Sequence, residues 1–228
     1  MPLLRFGESV STESGRLHKV DGPFGNALWS GLGKSYPKVS LGNNDDAVLY
    51  AKNVVGYWFP ATLRPLRCLD FDGNPATTTA EMQEWQFRET ENRDAVFSIL
   101  ASRLGFILHQ FVSDDFNIAK WNLQELPINV TGNKKLLASL AGQAAVVMQK
   151  LENTPEGHTW RKMLGMWVEG LDTRAISSTT DQIILELLES IGLANRWDEW
   201  EAIYWRSMKS TGEAAHTKRG TLPPGVSA

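Results

Sequence analysis

The stretch TENRDAVFSILASRLGFILHQFV, residues 90–112, is where the chain changes character. Thr90 is a good N-cap residue, and Glu91 and Asp94 place negative charge in the first turn. Val96, Ile99, Leu100, Leu104, Ile107, Leu108 and Phe111 then recur at helical spacing. The pattern predicts one long helix that ends near Val112. The residues before it read as strands and loops, and those after it read as helices. That order predicts an α+β fold. It comprises a loop-rich N-terminal part with a small antiparallel sheet, followed by a helical C-terminal part.

Residues 1–45 are rich in Gly, Ser, Asn and Pro, with turn signals at Gly22-Pro23, Gly25-Asn26 and Gly42-Asn43-Asn44. They read as loops with at most a short strand. Residues 47–60 are β-branched and aromatic, and Arg64–Phe71 and Glu84–Arg88 read as further strands. Asp72-Gly73-Asn74-Pro75 is a turn between them. This sheet is expected to have one polar face. Beyond residue 130, Asn133 opens a second helix carrying Leu136, Leu137, Leu140, Ala144, Val147, Met148 and Leu151 on one face. Pro155 and Gly157 interrupt it, and Trp160–Val168 reads as a shorter helical or mixed segment. Thr179 or Thr180 caps a third helix that stops at Gly192, a natural residue just past a helix end. Trp197, Trp200, Ile203, Tyr204 and Met208 form the stripe of a fourth. The domain reading is 1–45 loop-rich, 46–130 sheet plus helix, 131–211 helical, and 212–228 a flexible tail.

The 228 residues suffice for a sizeable core. Net charge is −3, which excludes a basic wrapper of nucleic acid and confines any phosphate contact to a local patch. The single cysteine, Cys68, excludes an internal disulfide and a cysteine metal cluster. The N-terminal residues lack an apolar signal core, and no run approaches the roughly 20 apolar residues of a membrane span. A cytoplasmic protein without membrane contact is expected.

Immediately after the apolar stretch comes Ser113-Asp-Asp-Phe-Asn-Ile-Ala-Lys-Trp-Asn-Leu-Gln-Glu-Leu-Pro-Ile128. Asn117, Lys120, Trp121, Asn122 and Gln124 fall within eight positions. Amides suit base edges, a cation suits phosphate, and an aromatic suits stacking. A surface turn that caps a helix is the other reading of the same residues. Arg64 and Arg67 bracket Pro65, with Tyr57, Trp58 and Phe59 upstream. That is either a nucleic-acid surface or a half-buried sheet with rim arginines.

Other motifs carry less. Gly31-Leu-Gly-Lys-Ser35 lacks the first glycine of a phosphate loop and runs into Tyr36-Pro37, so a basic turn is expected, with Lys34 and Lys38 available to phosphate. His18, His109, His158 and His216 have no paired metal-ligand spacing, and His109 reads as a histidine at the core edge. Asp70 and Asp72 share a strand face, but Asp72 reads as a turn former. Glu81, Glu84 and Glu89 read as a solvated face. No metal site and no catalytic residue is assigned.

Three features together carry a resemblance. They are the helix with Ala101-Ser102-Arg103-Leu104-Gly105-Phe106, then Ser113-Asp114-Asp115-Phe116-Asn117 with Lys120, then Leu126-Pro127-Ile128. The order resembles the C-terminal target-recognition region of large adenine-specific DNA methyltransferases of bacterial restriction-modification systems. Leu49-Tyr50-Ala51 and Gly56-Tyr57-Trp58-Phe59 look like the strand entry of that region. Leu171–Arg174 and Thr179–Asp181 with Ile184-Leu185 look like its helical end. The resemblance covers about residues 46–210. The Asn/Asp-Pro-Pro-aromatic motif and the Gly-rich methyl-donor unit of those enzymes are missing. Pro223-Pro224 sits between Leu222 and Gly225 and does not supply the first. The resemblance therefore implies a recognition module that is not catalytic alone and holds no cofactor itself. Its partners are double-stranded DNA and a catalytic methyltransferase chain that binds S-adenosylmethionine and flips the adenine. Lys38, Arg64, Arg67 and Lys120 are then expected on phosphate, Asn117, Asn122 and Gln124 on base edges, and Trp121 beside them. Two readings stand against it: a non-catalytic protein-interaction module docking through the aromatic surface of Trp197, Trp200 and Trp205, and a hydrolase whose site is assembled in space around His109 or His158.

Overall fold

Helix α2 (Thr90–Ala101) is buried on nearly every side from Ala95 onward, as a helix that is apolar all round must be. The computed structural model describes residues 10–11, 17–18, 22–52, 61–77, 82–112, 120–163, 165–210 and 224. The tail expected over 212–228 lies outside them, residue 224 apart. The expected single helix over 90–112 is two. Helix α3 (Arg103–Val112) leaves α2 at 88°. Ser102 makes the corner. Its backbone N–H and its hydroxyl both donate to the Ile99 carbonyl, and the hydroxyl oxygen accepts from the Leu104 N–H. It thus closes one helix and caps the next. Glu89, not Thr90, takes the N-cap position of α2, and it makes no side-chain cap bond.

One face of α2 is covered by an antiparallel sheet of β3 (Asn44–Lys52), β4 (Ala61–Thr62) and β6 (Met82–Phe87), in the order β4-β3-β6. Leu49 pairs with Trp85, and both are fully buried. The next pair, Tyr50 with Glu84, turns outward. The alternation gives the one polar face that the sequence predicts. Residues 53–60, with Tyr57, Trp58 and Phe59, lie outside the described residues. The opposite flank of α2 is covered by α5 (Lys134–Asn153). Asn133 caps α5 as expected, accepting from the Leu136 N–H, and Ser98 of α2 donates to the Leu140 carbonyl.

The segment from Arg64 to Phe71 is not one strand. It leaves β4 and crosses to a second antiparallel sheet, where β5 (Cys68–Leu69) pairs with β8 (Met166–Leu171), and β8 with β7 (His158–Met163). The β7–β8 hairpin stands where the sequence predicts a shorter helical or mixed segment over Trp160–Val168. Six residues per strand that alternate around Gly165, itself at φ +85°, make a hairpin rather than a helix.

The N-terminal part also departs from expectation. Gly22–Ser35 is a helix, α1, with Phe24, Leu28, Trp29 and Leu32 buried along one stripe. Pro23 suits a first turn because its missing N–H has no helical partner there. The described residues 10–11 and 17–18 form a short antiparallel pair, β1 with β2. Helix α6 (Asp181–Ser190) ends as the sequence predicts. Gly192 sits at φ +75°, its N–H donates to the Glu189 carbonyl, and the Leu193 N–H reaches the Leu188 carbonyl. Helix α7 (Trp197–Ser210) buries Trp200, Ile203 and Tyr204. It is latched by Arg103, 5% exposed, which reaches Asp181 at 2.9 Å and Glu201 at 2.5 Å and lies 4.8 Å from the Tyr204 ring. Among the described residues no single helix is long and apolar enough to cross a membrane.

Candidate functional site

A six-residue helix, α4 (Lys120–Glu125), is the next described element after α3. Lys120 and Gln124 are one turn apart on it, both exposed and without a hydrogen bond or ion pair among the described residues. Asn122 is different. It is 1% exposed, and its Nδ2 donates to the Val112 carbonyl at 2.9 Å. Its amide bridges the end of α3 to α4, so it is not presented to a base edge. The sequence places this amide beside a lysine and a tryptophan, as on a surface, and burial between two helix ends removes it. Asn117 lies outside the described residues, and so does the side chain of Trp121.

Lys38 joins this surface from far away in sequence. The Val39 N–H donates to the Leu126 carbonyl at 3.0 Å, and the Asn129 N–H donates to the Pro37 carbonyl at 3.1 Å. The two bonds hold residues 37–39 alongside the exit of α4. Lys38 Nζ then meets Glu125 Oε2 at 2.8 Å. Such a half-exposed pair is weak in water and opens readily to a competing anion. Gly31-Leu32-Gly33-Lys34-Ser35 forms the last turn and a half of α1 rather than a turn. The glycines lie within the helix near its C-terminal end, whereas a phosphate cradle must precede a helix N-terminus.

Arg64 and Arg67 are in a second place. Both converge on Glu169 of β8, whose side chain is fully buried. Arg64 contributes Nη1 to Oε2 at 2.6 Å and Nη2 to Oε1 at 2.9 Å, and its Nε reaches Glu152 Oε1 at 2.7 Å. Arg67 contributes its backbone N–H to Oε2 at 2.7 Å, and Nε and Nη2 to Oε1 at 3.0 and 2.7 Å. His158 Nε2 stands 2.8 Å from Oε1. Burial acts to raise the Glu169 pKa, but the hydrogen bonds from Arg64 and Arg67 outweigh it and hold the pKa at about 2. The same hydrogen bond from Arg64 to Glu169 raises the arginine above its ordinary value. Burial, with Glu169 nearby, pushes the Cys68 thiol up. A carboxylate held this low keeps its charge through the neutral range and is no proton donor or acceptor there.

The expected contact set therefore divides in two. Asn129 and Asn133 tie the α4 surface to the start of α5, whereas Glu152 ties the arginines to its last turn. The helix that runs between these two anchor points has twenty residues and is about 30 Å long. The sequence reading missed Glu169, the hub of the second place, and named His158 only as a possible centre of a hydrolase site. A lone glutamate in an alternating stretch, Trp167-Val168-Glu169, carried a faint signal: it shares the inward face of β8 with Trp167. His109 is fully buried within α3. Asp70, rather than Asp72, builds the turn. The Asn74 backbone N–H and side chain, then the Asp72 N–H, bond its carboxylate and lower its pKa. Among the described residues no group of three His, Cys, Asp or Glu is placed to hold a metal ion. Comparison of the chain with protein-family models, curated proteins and solved structures finds no match.

Proposed function

We propose that this chain is a DNA-contacting recognition module of an adenine-specific DNA methyltransferase system, which selects a site while a catalytic partner chain binds S-adenosylmethionine and performs the transfer. The observation that carries the reading is the joining of Lys38 to α4. It brings Lys38 beside α4, the short helix that also carries the exposed Lys120 and Gln124. Cations there suit phosphate, and Gln124 suits an adenine edge. The resemblance of residues 94–128 to a target-recognition region supports the finer part of the reading. The test is a mobility shift on duplex DNA at low salt, with and without a cognate catalytic chain. Binding is expected in at least one arm, with a salt dependence that falls by about 0.9 per lysine removed. No shift in either arm overturns the reading.

A protein-docking role has one observation in its favour. Trp205 of α7 is 51% exposed, its indole N–H held by Glu201. Trp200, by contrast, is fully buried and cannot take part. Association through this surface would persist at high salt and be lost in Trp205→Ala. Association unchanged in that variant removes this reading.

A further inference from the structure

We propose that Arg67 is a preorganised anion contact, built to meet a phosphoryl oxygen with the free edge of its guanidinium. The two arginines of the Glu169 cluster are used differently. Arg64 has every guanidinium nitrogen engaged: Nε on Glu152, Nη1 on Glu169 and the Pro65 carbonyl, and Nη2 on Glu169. Arg67 has Nε and Nη2 on Glu169, while Nη1 makes no hydrogen bond or ion pair among the described residues. Its side chain is 53% exposed, against 30% for Arg64 and 0% for Glu169.

The Arg67 guanidinium is also fixed in plane and position. Its Cζ lies 5.5 Å from the centre of the Trp160 ring, and its own backbone N–H donates to the same carboxylate that holds its side chain. An exposed arginine ordinarily surrenders rotamer freedom when it binds. Here the ordering is already present in the free protein, which favours affinity. Arg64 serves this arrangement as a positioning residue. Its bidentate hold shares both oxygens of Glu169 with Arg67, so the single carboxylate cannot fully neutralise Arg67. A planar fork with one edge open is matched to an oxyanion of phosphate geometry.

The ligand chemistry is a phosphoryl oxygen, from either a nucleic-acid backbone or free phosphate. The first source rests on the DNA reading above. The test uses the full chain. Duplex affinity at several salt concentrations is measured for the wild type, Arg67→Ala, Arg67→Lys and Arg161→Ala, the last an exposed arginine on the opposite face of β7. In a parallel arm, inorganic phosphate is titrated while following the arginine Nε–Hε resonance that disappears in Arg67→Lys. Arg67→Ala is expected to bind duplex about threefold to tenfold more weakly, with a salt slope lower by about 0.9, while Arg161→Ala matches the wild type. Arg67→Lys keeps the charge opposite Glu169, so it carries the comparison if the alanine variant does not fold. It should still bind more weakly, because an ammonium has no fork. If wild-type protein fails to bind duplex yet phosphate shifts the resonance, the DNA reading falls and the anion site stands. If the variants match the wild type on duplex and phosphate leaves the resonance unmoved, the anion site is overturned.

Discussion

Arg64 meets Glu169 with both terminal nitrogens, Nη1 on Oε2 at 2.6 Å and Nη2 on Oε1 at 2.9 Å, where the carboxylate is fully shielded from solvent. This pair joins three parts of the chain that do not otherwise share a sheet. Arg64 stands just past β4, Glu169 is in the middle of β8, and Glu152 on the far side of Arg64 belongs to α5. The pair fixes how the hairpin sheet sits against the helix that packs on α2. Because one carboxylate receives two guanidinium groups, removal of Glu169 leaves two cations facing each other. Glu169→Gln should therefore lose about 3–5 kcal/mol of stability, read by urea unfolding. A loss below about 1 kcal/mol would show that the cluster does not hold the sheet in place.

The same carboxylate sets a pH dependence. Its folded pKa of about 2 lies below the ordinary glutamate value of about 4.5, so protonation favours the unfolded chain. The stabilisation is fully present above about pH 4.5 and is lost as the pH falls toward 2. The shift is worth about 3 kcal/mol. Wild-type protein should lose that much more stability than Glu169→Gln between pH 5 and pH 2. Parallel acid-unfolding curves for the two proteins would contradict the assignment.

On α4, neighbouring amides separate cleanly into structure and surface. Asn122→Ala leaves the buried Val112 carbonyl without its donor and should cost about 1–3 kcal/mol. On the proposed DNA reading, the folded variant should keep the sequence preference of the wild type. Gln124 is exposed and makes no hydrogen bond or ion pair among the described residues, so Gln124→Ala should change stability by less than about 0.5 kcal/mol. Its effect should appear in competition mobility shifts, as a loss of about 1–3 kcal/mol of discrimination at one base pair. The opposite pattern, with Asn122 governing base preference, would place the surface elsewhere.

The elements that could be read from sequence are those whose local signals agree with their surroundings. Asn133 before an apolar stripe gave α5 its start, and Gly192 gave α6 its end, because capping geometry is decided by a few adjacent residues. Helix α1 was hidden by Gly22, Gly25, Gly31 and Gly33, each a poor helix former. Its stripe of Phe24, Leu28, Trp29 and Leu32 overrides them by packing on the core. The hairpin over 158–171 was hidden because its strands mix Trp and Val with Met, Leu, Lys, Arg and Glu, which are good helix formers. Only pairing across Gly165 distinguishes the two. For the site, Lys120 and Gln124 were legible as neighbours in sequence. The burial of Asn122 depends on how the ends of α3 and α4 meet. The attachment of Lys38 and the hub at Glu169 depend on contacts across 87 and 105 positions, which no local pattern encodes.

The corner between α2 and α3 makes a further demand. Gly105 has no space for a side chain, since an added Cβ would fall on the Leu100 carbonyl, which is backbone and cannot swing aside. Gly105→Ala should cost about 1–3 kcal/mol by overpacking. Ser102→Ala loses the hydroxyl that caps α3 and should cost about 1 kcal/mol. Urea midpoints that rank the serine variant as the more damaged would mean that the corner relaxes easily around Gly105.

Two glycines that look alike in sequence should respond in opposite directions. Gly192 holds φ +75° at the end of α6, so Gly192→Ala forces an alanine into the left-handed region at a cost of about 1–2 kcal/mol. Gly33 lies in the last turn of α1 with open space around it. Gly33→Ala should stabilise by about 0.4–1 kcal/mol, by restricting the unfolded chain and improving helix propensity. The second result bears directly on Gly31-Leu-Gly-Lys-Ser35. A phosphate-cradling loop would need Gly33 for its backbone path, and alanine there would be harmful. Thermal unfolding of the two single variants decides the matter, and a destabilised Gly33→Ala would contradict the helical assignment of that segment.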